Sequence, residues 1–202
     1  MNSTPPIITS FPSEADQLLG PRSKNRLCLL WHRLDVQELL FVRVMVAKSR
    51  RHPRLMTLNA LINLLGNGWL YLPLVVVLFA LKGWQIWRFI LAASLSVGIA
   101  HLLYPRIKAF LARRRPHDLD PNLKSSVRAL DEYSCPSGHC MTAMAVGLPL
   151  MWAFPGAAIP MTLVWFGIAW SRLSLGHHYP TDLLLGAVLG AAVALPVAKF
   201  LL

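Results

Sequence analysis

One uncharged stretch of this chain, residues 140–171, reads CMTAMAVGLPLMWAFPGAAIPMTLVWFGIAWS. It contains no Asp, Glu, Lys or Arg. A helix that crosses a membrane needs about 20 apolar residues, so the stretch is too long for a single span. Pro155-Gly156 lies near its middle, and such a pair ends a helix and favours a turn. The stretch therefore predicts a tight hairpin of two membrane helices.

The composition of the whole chain agrees with a membrane protein. Of the 202 residues, 55% are hydrophobic and 14% are charged, and the mean hydropathy is +0.49. A soluble domain of this size would carry a charged surface, which argues against a soluble two-domain enzyme. The 20 Lys and Arg residues outnumber the 9 Asp and Glu residues and give a formal net charge of +11. This excess suits anionic lipid head groups, phosphorylated substrates or nucleic acid, and charge alone does not choose among them.

Further apolar stretches complete the predicted bundle. Leu55–Leu81 is uncharged but is interrupted by Asn and Gly residues, which predicts a short leading helix and then a spanning helix over Trp69–Leu81. Phe89–Pro105 predicts a second span. Leu183–Pro196 begins the last span, which Lys199 closes. The sequence thus predicts an all-α polytopic membrane helix bundle with about five to six transmembrane helices.

The first part of the chain has a different character. Residues 1–20 are polar and rich in Pro, Ser and Thr, so we expect a disordered tail and no secretory signal. Pro21 to Arg54 mixes nine basic residues with apolar ones, which is typical of a helix lying in the membrane interface. A solvated basic segment is the alternative. We divide the chain into a polar tail and basic interfacial segment, residues 1–54, and a membrane-embedded bundle, residues 55–202.

Two polar loops connect the predicted spans. Residues 106–133 follow the second span, and residues 172–182 follow the fourth. Because successive spans cross in opposite directions, both loops lie on the same side of the membrane. Every residue that we single out for chemistry lies in or beside these two loops.

The first loop contains a cluster of cations. Lys108 and Arg115 are seven residues apart, which is two helical turns, so we expect them to project from one helix face that Pro116 ends. Two cations on one face can bind one anion. We expect Arg113 and Arg114 to contact lipid phosphates or water. Taken alone, the cluster also fits a feature that sets topology and contacts lipid.

Pro136-Ser137-Gly138-His139 directly precedes the third span. Ser137 is suited to cap that helix, and Gly138 lets a ligand approach the backbone. The free N–H groups at a helix N-terminus bind phosphate, and His139 in the first turn would donate a proton to a leaving oxygen. An N-cap beside an interfacial histidine is the equally simple alternative.

The second loop adds a histidine and a carboxylate four residues apart. Asp182 follows His178 in the first turn of the last helix, which begins at Pro180. The carboxylate can hold one imidazole nitrogen and leave the other free to attack, as in a nucleophile set with an orienting acid. His177 is out of phase by one residue and is the weaker candidate.

Three residues within the predicted spans have a simpler interpretation as packing residues. We expect His101 to make a hydrogen bond between helices, although an ionisable group at membrane depth raises a functional question. Gly186 and Gly190 form a small-x-x-x-small face, which predicts close helix packing.

These motifs make the chain similar to the type 2 phosphatidic acid phosphatase superfamily, whose membrane lipid phosphatases are related to vanadium haloperoxidases. Its three signatures appear in the expected order as Lys108 with six residues to Arg115-Pro116, Pro136-Ser137-Gly138-His139, and Ser171-Arg172 with five residues to His178 and three to Asp182. Three spaced motifs in order are far more specific than any one of them. Membrane members of this superfamily typically have six spans, whereas five are counted from this sequence. The difference lies in the N-terminal segment.

The resemblance implies a reaction that needs neither a metal nor another cofactor. His178 would attack phosphorus and form a phosphohistidine, Asp182 would orient its ring, and His139 would protonate the leaving group and then activate water. The resemblance also implies a set of groups that hold the phosphoryl oxygens, namely Lys108, Arg115, Ser137, Gly138 and Arg172. The acidic residues of the first loop lie outside the matched positions, so we expect no metal ligands.

The predicted function is that of an integral-membrane lipid phosphatase that acts on a phospholipid or a polyprenyl (di)phosphate. A lipid phosphotransferase or a haloperoxidase-like enzyme would use the same site, and a non-catalytic protein that binds anionic lipid is the alternative from another class. The expected partners are a phosphorylated lipid and the bilayer, with no nucleic acid. We expect an inner-membrane location with the site on the periplasmic face, as in the family, although positive-inside counting favours the cytoplasmic face.

Overall fold

The computed structural model describes residues 26–125 and 127–202, with side chains from Leu34 onward. Every regular element in these residues is a helix. The predicted all-α class is therefore confirmed. The predicted tail, residues 1–20, lies outside the described residues.

Eight α-helices follow one another along the described chain, joined by short helical turns and two loops. The helices are α1 Arg26–Arg50, α2 Pro53–Leu64, α3 Tyr71–Lys82, α4 Trp87–Leu111, α5 Pro116–Leu119, α6 Gly138–Ala153, α7 Ala158–Ser174 and α8 Pro180–Leu201. The short turns are a π-helical turn over Leu65–Trp69 and 3₁₀ turns over Gly83–Ile86, Pro121–Leu123 and Pro155–Ala157.

Glycine and proline set some helix boundaries but not others. α3 ends at Gly83, whose φ of 58° lies in the left-handed region that glycine adopts readily. The turn at Pro155 separates α6 from α7 and confirms the predicted hairpin. Pro105 and Pro196, in contrast, lie inside α4 and α8, and α4 runs past Pro105, where the predicted second span ends. Prolines are tolerated inside membrane helices because neighbouring helices can satisfy the backbone groups that the proline leaves without a hydrogen bond.

The central helix is α6, which packs against α4, α7 and α8. Its contact with α8 is close because Gly186 and Gly190 face it. A Cβ atom added at either glycine would lie 2.4 Å from a backbone oxygen, that of Ser137 or Met141. This distance is too short for any side chain, which confirms the predicted close packing.

α4 meets α6 through one polar and several apolar contacts. His101 Nε2 lies 3.0 Å from Thr142 Oγ1, which confirms the predicted hydrogen bond between helices. Nearer the other end of the bundle, Phe89, Val146 and Leu150 belong to one buried apolar cluster. These contacts hold α6 against α4 both near the N-terminus of α6 and toward its C-terminal end.

The outer surface of the bundle is apolar, whereas many charged side chains are buried. Leu81, Ile159 and Phe200 are between 72% and 87% exposed. Soluble proteins rarely expose apolar surface on this scale. Two stretches, Tyr71–Leu119 and Pro180–Leu201, are long and apolar enough to cross a membrane by length and composition. The predicted number of spans stays a prediction.

α1 covers the end of the bundle that carries the two loops. One buried apolar cluster joins it to the loop after α5 and to the start of α8, through Leu39, Val42, Val46, Leu119, Leu123 and Tyr179. Arg43 Nε donates to Asp120 Oδ2 at 2.7 Å, and Arg50 donates to the Asn122 carbonyl oxygen at 2.6 Å. Two basic residues of the predicted interfacial segment therefore bind a loop of the protein itself. The division of the chain at residue 54 stays a prediction.

Candidate active site

The site lies where the N-termini of α6 and α8 meet the C-terminal end of α4. The backbone N–H of Ser137 donates to the carbonyl oxygen of Asp182 at 2.9 Å. This bond, together with the glycine contacts of α8, joins the loop before α6 to the first turn of α8. The second and third motifs are thus held together by backbone contact.

His178 stands between a carboxylate and a cation. Its Nδ1 lies 3.7 Å from Asp182 Oδ2, and its Nε2 lies 3.5 Å from Arg115 Nη1. The first distance exceeds a hydrogen bond, because the Asp182 carboxylate accepts from Ser134 and from the Tyr179 N–H at 2.8 Å. Burial, and then the charge of Arg115, holds the pKa of His178 well below its usual range. The imidazole is therefore neutral at pH 7, as a nucleophile must be.

Lys108 and Arg115 are brought together by a carboxylate rather than by a helix face. Asp131 Oδ1 accepts from Lys108 Nζ at 2.7 Å and also from Arg115. Asp131 Oδ2 accepts from the Tyr104 hydroxyl at 2.6 Å, and this hydroxyl also accepts from Lys108. Burial alone would raise the pKa of Asp131, but the hydrogen bonds from Lys108 and Tyr104 hold the pKa below its usual range. An ionised carboxylate thus bridges the two cations.

The prediction that Lys108 and Arg115 project from one helix is wrong. α4 ends at Leu111, and Ala112 has a φ of 41° in the left-handed region. Arg115 is extended, with φ −77° and ψ 156°, at the N-cap of α5. Pro116 is the cause, because proline disfavours the α conformation in the residue before it. The two cations come together because the chain changes direction between them, and not because they share one helix face.

The expectation that Arg113 contacts lipid or water is also wrong. Its guanidinium is fully buried and forms ion pairs with Asp35 at 2.8 Å, Glu38 at 2.8 Å and Asp182 at 2.5 Å. It also lies over the Tyr179 ring, 4.1 Å from the centroid. Arg113 therefore connects α1 to the carboxylate beside His178.

Ser137, Gly138 and His139 form the start of α6. Ser137 occupies the N-cap position, but its side chain makes no capping hydrogen bond within the described residues. A Cβ atom at Gly138 would lie 3.0 Å from the Tyr104 ring, so a larger residue would displace that ring. His139 Nε2 lies 2.5 Å from Asn67 Oδ1. Since an amide oxygen only accepts, Nε2 carries a proton.

Arg172 lies near the C-terminal end of α7 and is 2% exposed. Its Nη1 donates to Asn63 Oδ1, and its carbonyl oxygen accepts from the His177 N–H at 3.1 Å. Arg172 therefore lies between α2 and the loop that carries His177 and His178.

His177 faces away from these groups. Its Nε2 lies 2.9 Å from the Val127 carbonyl oxygen, and its own carbonyl oxygen accepts from Arg115 Nη1 at 2.6 Å. Burial, and then the charge of Arg172, lowers the pKa of His177 to about 2. His177 thus holds the loop and a cation, while His178 faces the site.

The sequence did not indicate several polar residues that contact the predicted set, among them Ser134, which donates to Asp182. Tyr104 precedes Lys108 by one helical turn, so the spacing alone offered a signal for it. Asp131, Asn63 and Asn67 lie in segments without a motif, and only their contacts reveal them.

Comparisons with known proteins identify the family of this chain. The model of the PAP2 superfamily matches residues 85–201. Decaprenylphosphoryl-5-phosphoribose phosphatase of Mycobacterium tuberculosis is 34% identical over 126 residues, which are 62% of this chain and 67% of that protein. The match includes more than half of the chain.

Two solved structures have a similar fold. One is a transmembrane PAP2 type phosphatidylglycerolphosphate phosphatase from Bacillus subtilis, with a TM-score of 0.65, 25% identity, and coverage of 86% of this chain and 93% of that chain. The other is Aquifex aeolicus LpxE, with a TM-score of 0.56, 23% identity, and coverage of 81% and 95%. From its three motifs, its helical bundle and the family match over residues 85–201, this chain belongs to the PAP2 superfamily and is a lipid phosphatase of that family.

Proposed function

We propose that this enzyme removes a phosphate group from a phosphorylated polyprenyl lipid or phospholipid through a phosphohistidine on His178, without a metal ion. The similarity to a decaprenylphosphoryl-5-phosphoribose phosphatase supports a polyprenyl-linked substrate. The buried cations beside an apolar outer surface support a substrate whose phosphate lies at the membrane boundary.

The observation that carries the proposal is the position of His178 between Asp182 and Arg115. With a proton on Nδ1, which faces the Asp182 carboxylate, the lone pair of Nε2 points toward the Arg115 guanidinium. A phosphoryl group bound by Arg115 would therefore lie next to the attacking nitrogen. Asp182 would stabilise the positive charge that the ring gains during attack.

The reaction has two displacements at phosphorus. In the first, His178 Nε2 forms a bond to phosphorus, the bond to the leaving oxygen breaks, and His139 gives that oxygen a proton. In the second, His139 takes a proton from water, the water oxygen bonds to phosphorus, and the bond to Nε2 breaks. Lys108, Arg115 and Arg172 would stabilise the charge on the equatorial oxygens in both steps.

The two neighbouring histidines provide the direct test. His178→Gln should abolish turnover while thermal unfolding in detergent stays close to that of the wild type. His177→Ala should retain activity, because its ring bonds a loop carbonyl and not the site. Enzyme incubated with ³²P-labelled lipid phosphate and quenched in alkaline detergent, which preserves the P–N bond of a phosphohistidine, should carry label in the wild type and none in His178→Gln. Full turnover by His178→Gln would refute the assignment.

Metal independence has its own test. The three cations supply the positive charge that Mg²⁺ supplies in many phosphoryl-transfer enzymes. Activity should therefore survive excess EDTA, and vanadate should inhibit more tightly than substrate binds, because it adopts the five-coordinate geometry of the transition state. A strict requirement for Mg²⁺ would contradict the proposal.

We infer an inner-membrane location with the site on the periplasmic face. Leu130 is 70% exposed in the loop that carries Asp131, so Leu130→Cys provides a labelling position near the site. A membrane-impermeant maleimide should label this variant in spheroplasts. Labelling only after lysis would put the site on the cytoplasmic face.

A further inference from the structure

Three asparagines lie before α3, and two of them contact residues of the active site. Asn59, Asn63 and Asn67 are four residues apart, so they follow one face of α2 and the π-helical turn after it. Asn59 and Asn63 are buried, with exposures of 0% and 6%. All three lie before residue 85, where the family match begins.

Two of the three asparagines contact residues that the proposed mechanism uses. Asn63 Oδ1 accepts from Arg172 Nη1, and Asn67 Oδ1 accepts from His139 Nε2 at 2.5 Å. Gly66 lies between them, and a Cβ atom there would be 3.1 Å from the His139 ring. The turn after α2 therefore contacts the ring of His139 both by a hydrogen bond and by close backbone packing.

Asn59 has a different role. Its Nδ2 donates to Ser49 Oγ at 2.8 Å, and its carbonyl oxygen accepts from Ser171 Oγ at 2.7 Å. These bonds tie α2 to the end of α1 and to α7. They anchor the helix without contacting a group that would touch phosphate, so Asn59 provides a matched structural control.

The chemical type of the two contacts matters. An asparagine oxygen orients a cation without cancelling its charge, whereas an aspartate at the same place would form an ion pair. Arg172 thus keeps its full charge for phosphate, with only one of its five N–H donors used by Asn63. His139 is held through Nε2, which fixes the plane of the ring and leaves Nδ1 for proton exchange.

We propose that Asn63 and Asn67 are positioning residues of the phosphatase site, which set the orientation of Arg172 and His139 through neutral acceptors. The inference rests on the proposed roles of Arg172 and His139. It assigns part of the site to a segment outside the three motifs.

The test compares a polyprenyl monophosphate with the diphosphate of the same chain length, using purified full-length protein in detergent. The monophosphate releases a poor alkoxide leaving group, whereas the diphosphate releases the polyprenyl monophosphate, which needs less help from an acid. Asn67→Ala should lower kcat/KM for the monophosphate at least about tenfold more than for the diphosphate, as His139→Ala should also do. Asn59→Ala should lower the melting temperature but keep the wild-type ratio of the two substrates.

Asn63 is tested with a nearly isosteric change. Asn63→Asp retains an acceptor for Arg172 and should fold normally, but its charge opposes phosphate. We expect the inhibition constant of vanadate and the KM to rise at least about tenfold, with the ratio of the two substrates unchanged. A merely structural asparagine would leave vanadate inhibition unaltered.

The outcomes separate this inference from the proposed function. If His139→Ala spares the diphosphate while Asn67→Ala slows both substrates equally, the role of Asn67 is refuted and that of His139 stands. If Arg172→Lys weakens vanadate inhibition while Asn63→Asp does not, the role of Asn63 is refuted alone. If His139→Ala itself slows both substrates equally, the proposed proton donor and the role of Asn67 both fail.

Discussion

The Arg113→Ala variant should unfold at a much lower temperature than the Arg114→Ala variant. The Arg113 guanidinium is fully buried against Asp35 and Asp182, whose side chains are both 0% exposed, and against Glu38. Removing one partner of a buried ion pair leaves an uncompensated charge and costs about 3–5 kcal/mol. For a chain of this size, 1 kcal/mol corresponds to roughly 2–4 °C, so the melting temperature should fall by about 6–20 °C.

The matched control is Arg114→Ala, because Arg114 is exposed and its replacement by alanine removes the same net charge. A surface change of this kind stays within about 0.5 kcal/mol. Thermal unfolding in detergent, followed by tryptophan fluorescence, compares the two variants directly. Arg113→Lys keeps the charge but loses the forked geometry, so it should unfold between Arg113→Ala and the wild type. If the two alanine variants melt within about 2 °C of each other, the buried ion-pair network does not stabilise this end of the bundle.

Asp131→Asn removes a carboxylate that competes with phosphate for Lys108 and Arg115. An ion pair with a partly exposed carboxylate contributes roughly 1 kcal/mol. The inhibition constant of vanadate should therefore fall about fivefold, which corresponds to that free energy. Unchanged inhibition would show that Asp131 does not compete with the anion, and weaker inhibition would show that it positions the two cations for binding. Gly190→Ala adds a Cβ atom 2.4 Å from a backbone oxygen of α6 and should destabilise the protein by about 1–3 kcal/mol in thermal unfolding, whereas Gly98→Ala meets nothing within 4 Å and should not. If His178 is the nucleophile, its lowered pKa keeps the ring neutral as pH falls through about 6.5, so kcat/KM should decline only below that pH. A decline centred at or above pH 6.5 would contradict a buried, neutral nucleophile.

Local patterns in the sequence were sufficient for much of the fold. Pro155-Gly156 marks the hairpin between α6 and α7, and Gly186 and Gly190 mark the closest helix contact, because these features depend on residues near each other in sequence. The motif spacing likewise identified residues that converge at one end of the bundle. Their catalytic roles stay predictions.

The sequence predictions that were wrong or incomplete concern residues whose burial and partners depend on tertiary contacts. Arg113 resembles its neighbour Arg114 in sequence, and only its distant partners on α1 show that it is buried. Arg115 lies four residues beyond the end of α4 at Leu111, and Pro116 favours its extended backbone, a local rule that the seven-residue spacing obscured. Asn63 and Asn67 reach residues 109 and 72 positions away, and no pattern within one segment predicts contacts over such distances.

The contact of α1 with α8 has a consequence for how the protein is made. Glu38 accepts a hydrogen bond from Thr181, a residue 143 positions later, and Asp35 and Asp182 are joined through Arg113. These contacts can therefore form only after the first turn of α8 has been synthesised. Pairing across so long a loop is slow compared with the packing of adjacent helices. We therefore expect the ion pairs that connect α1 to Asp182 to form late in folding.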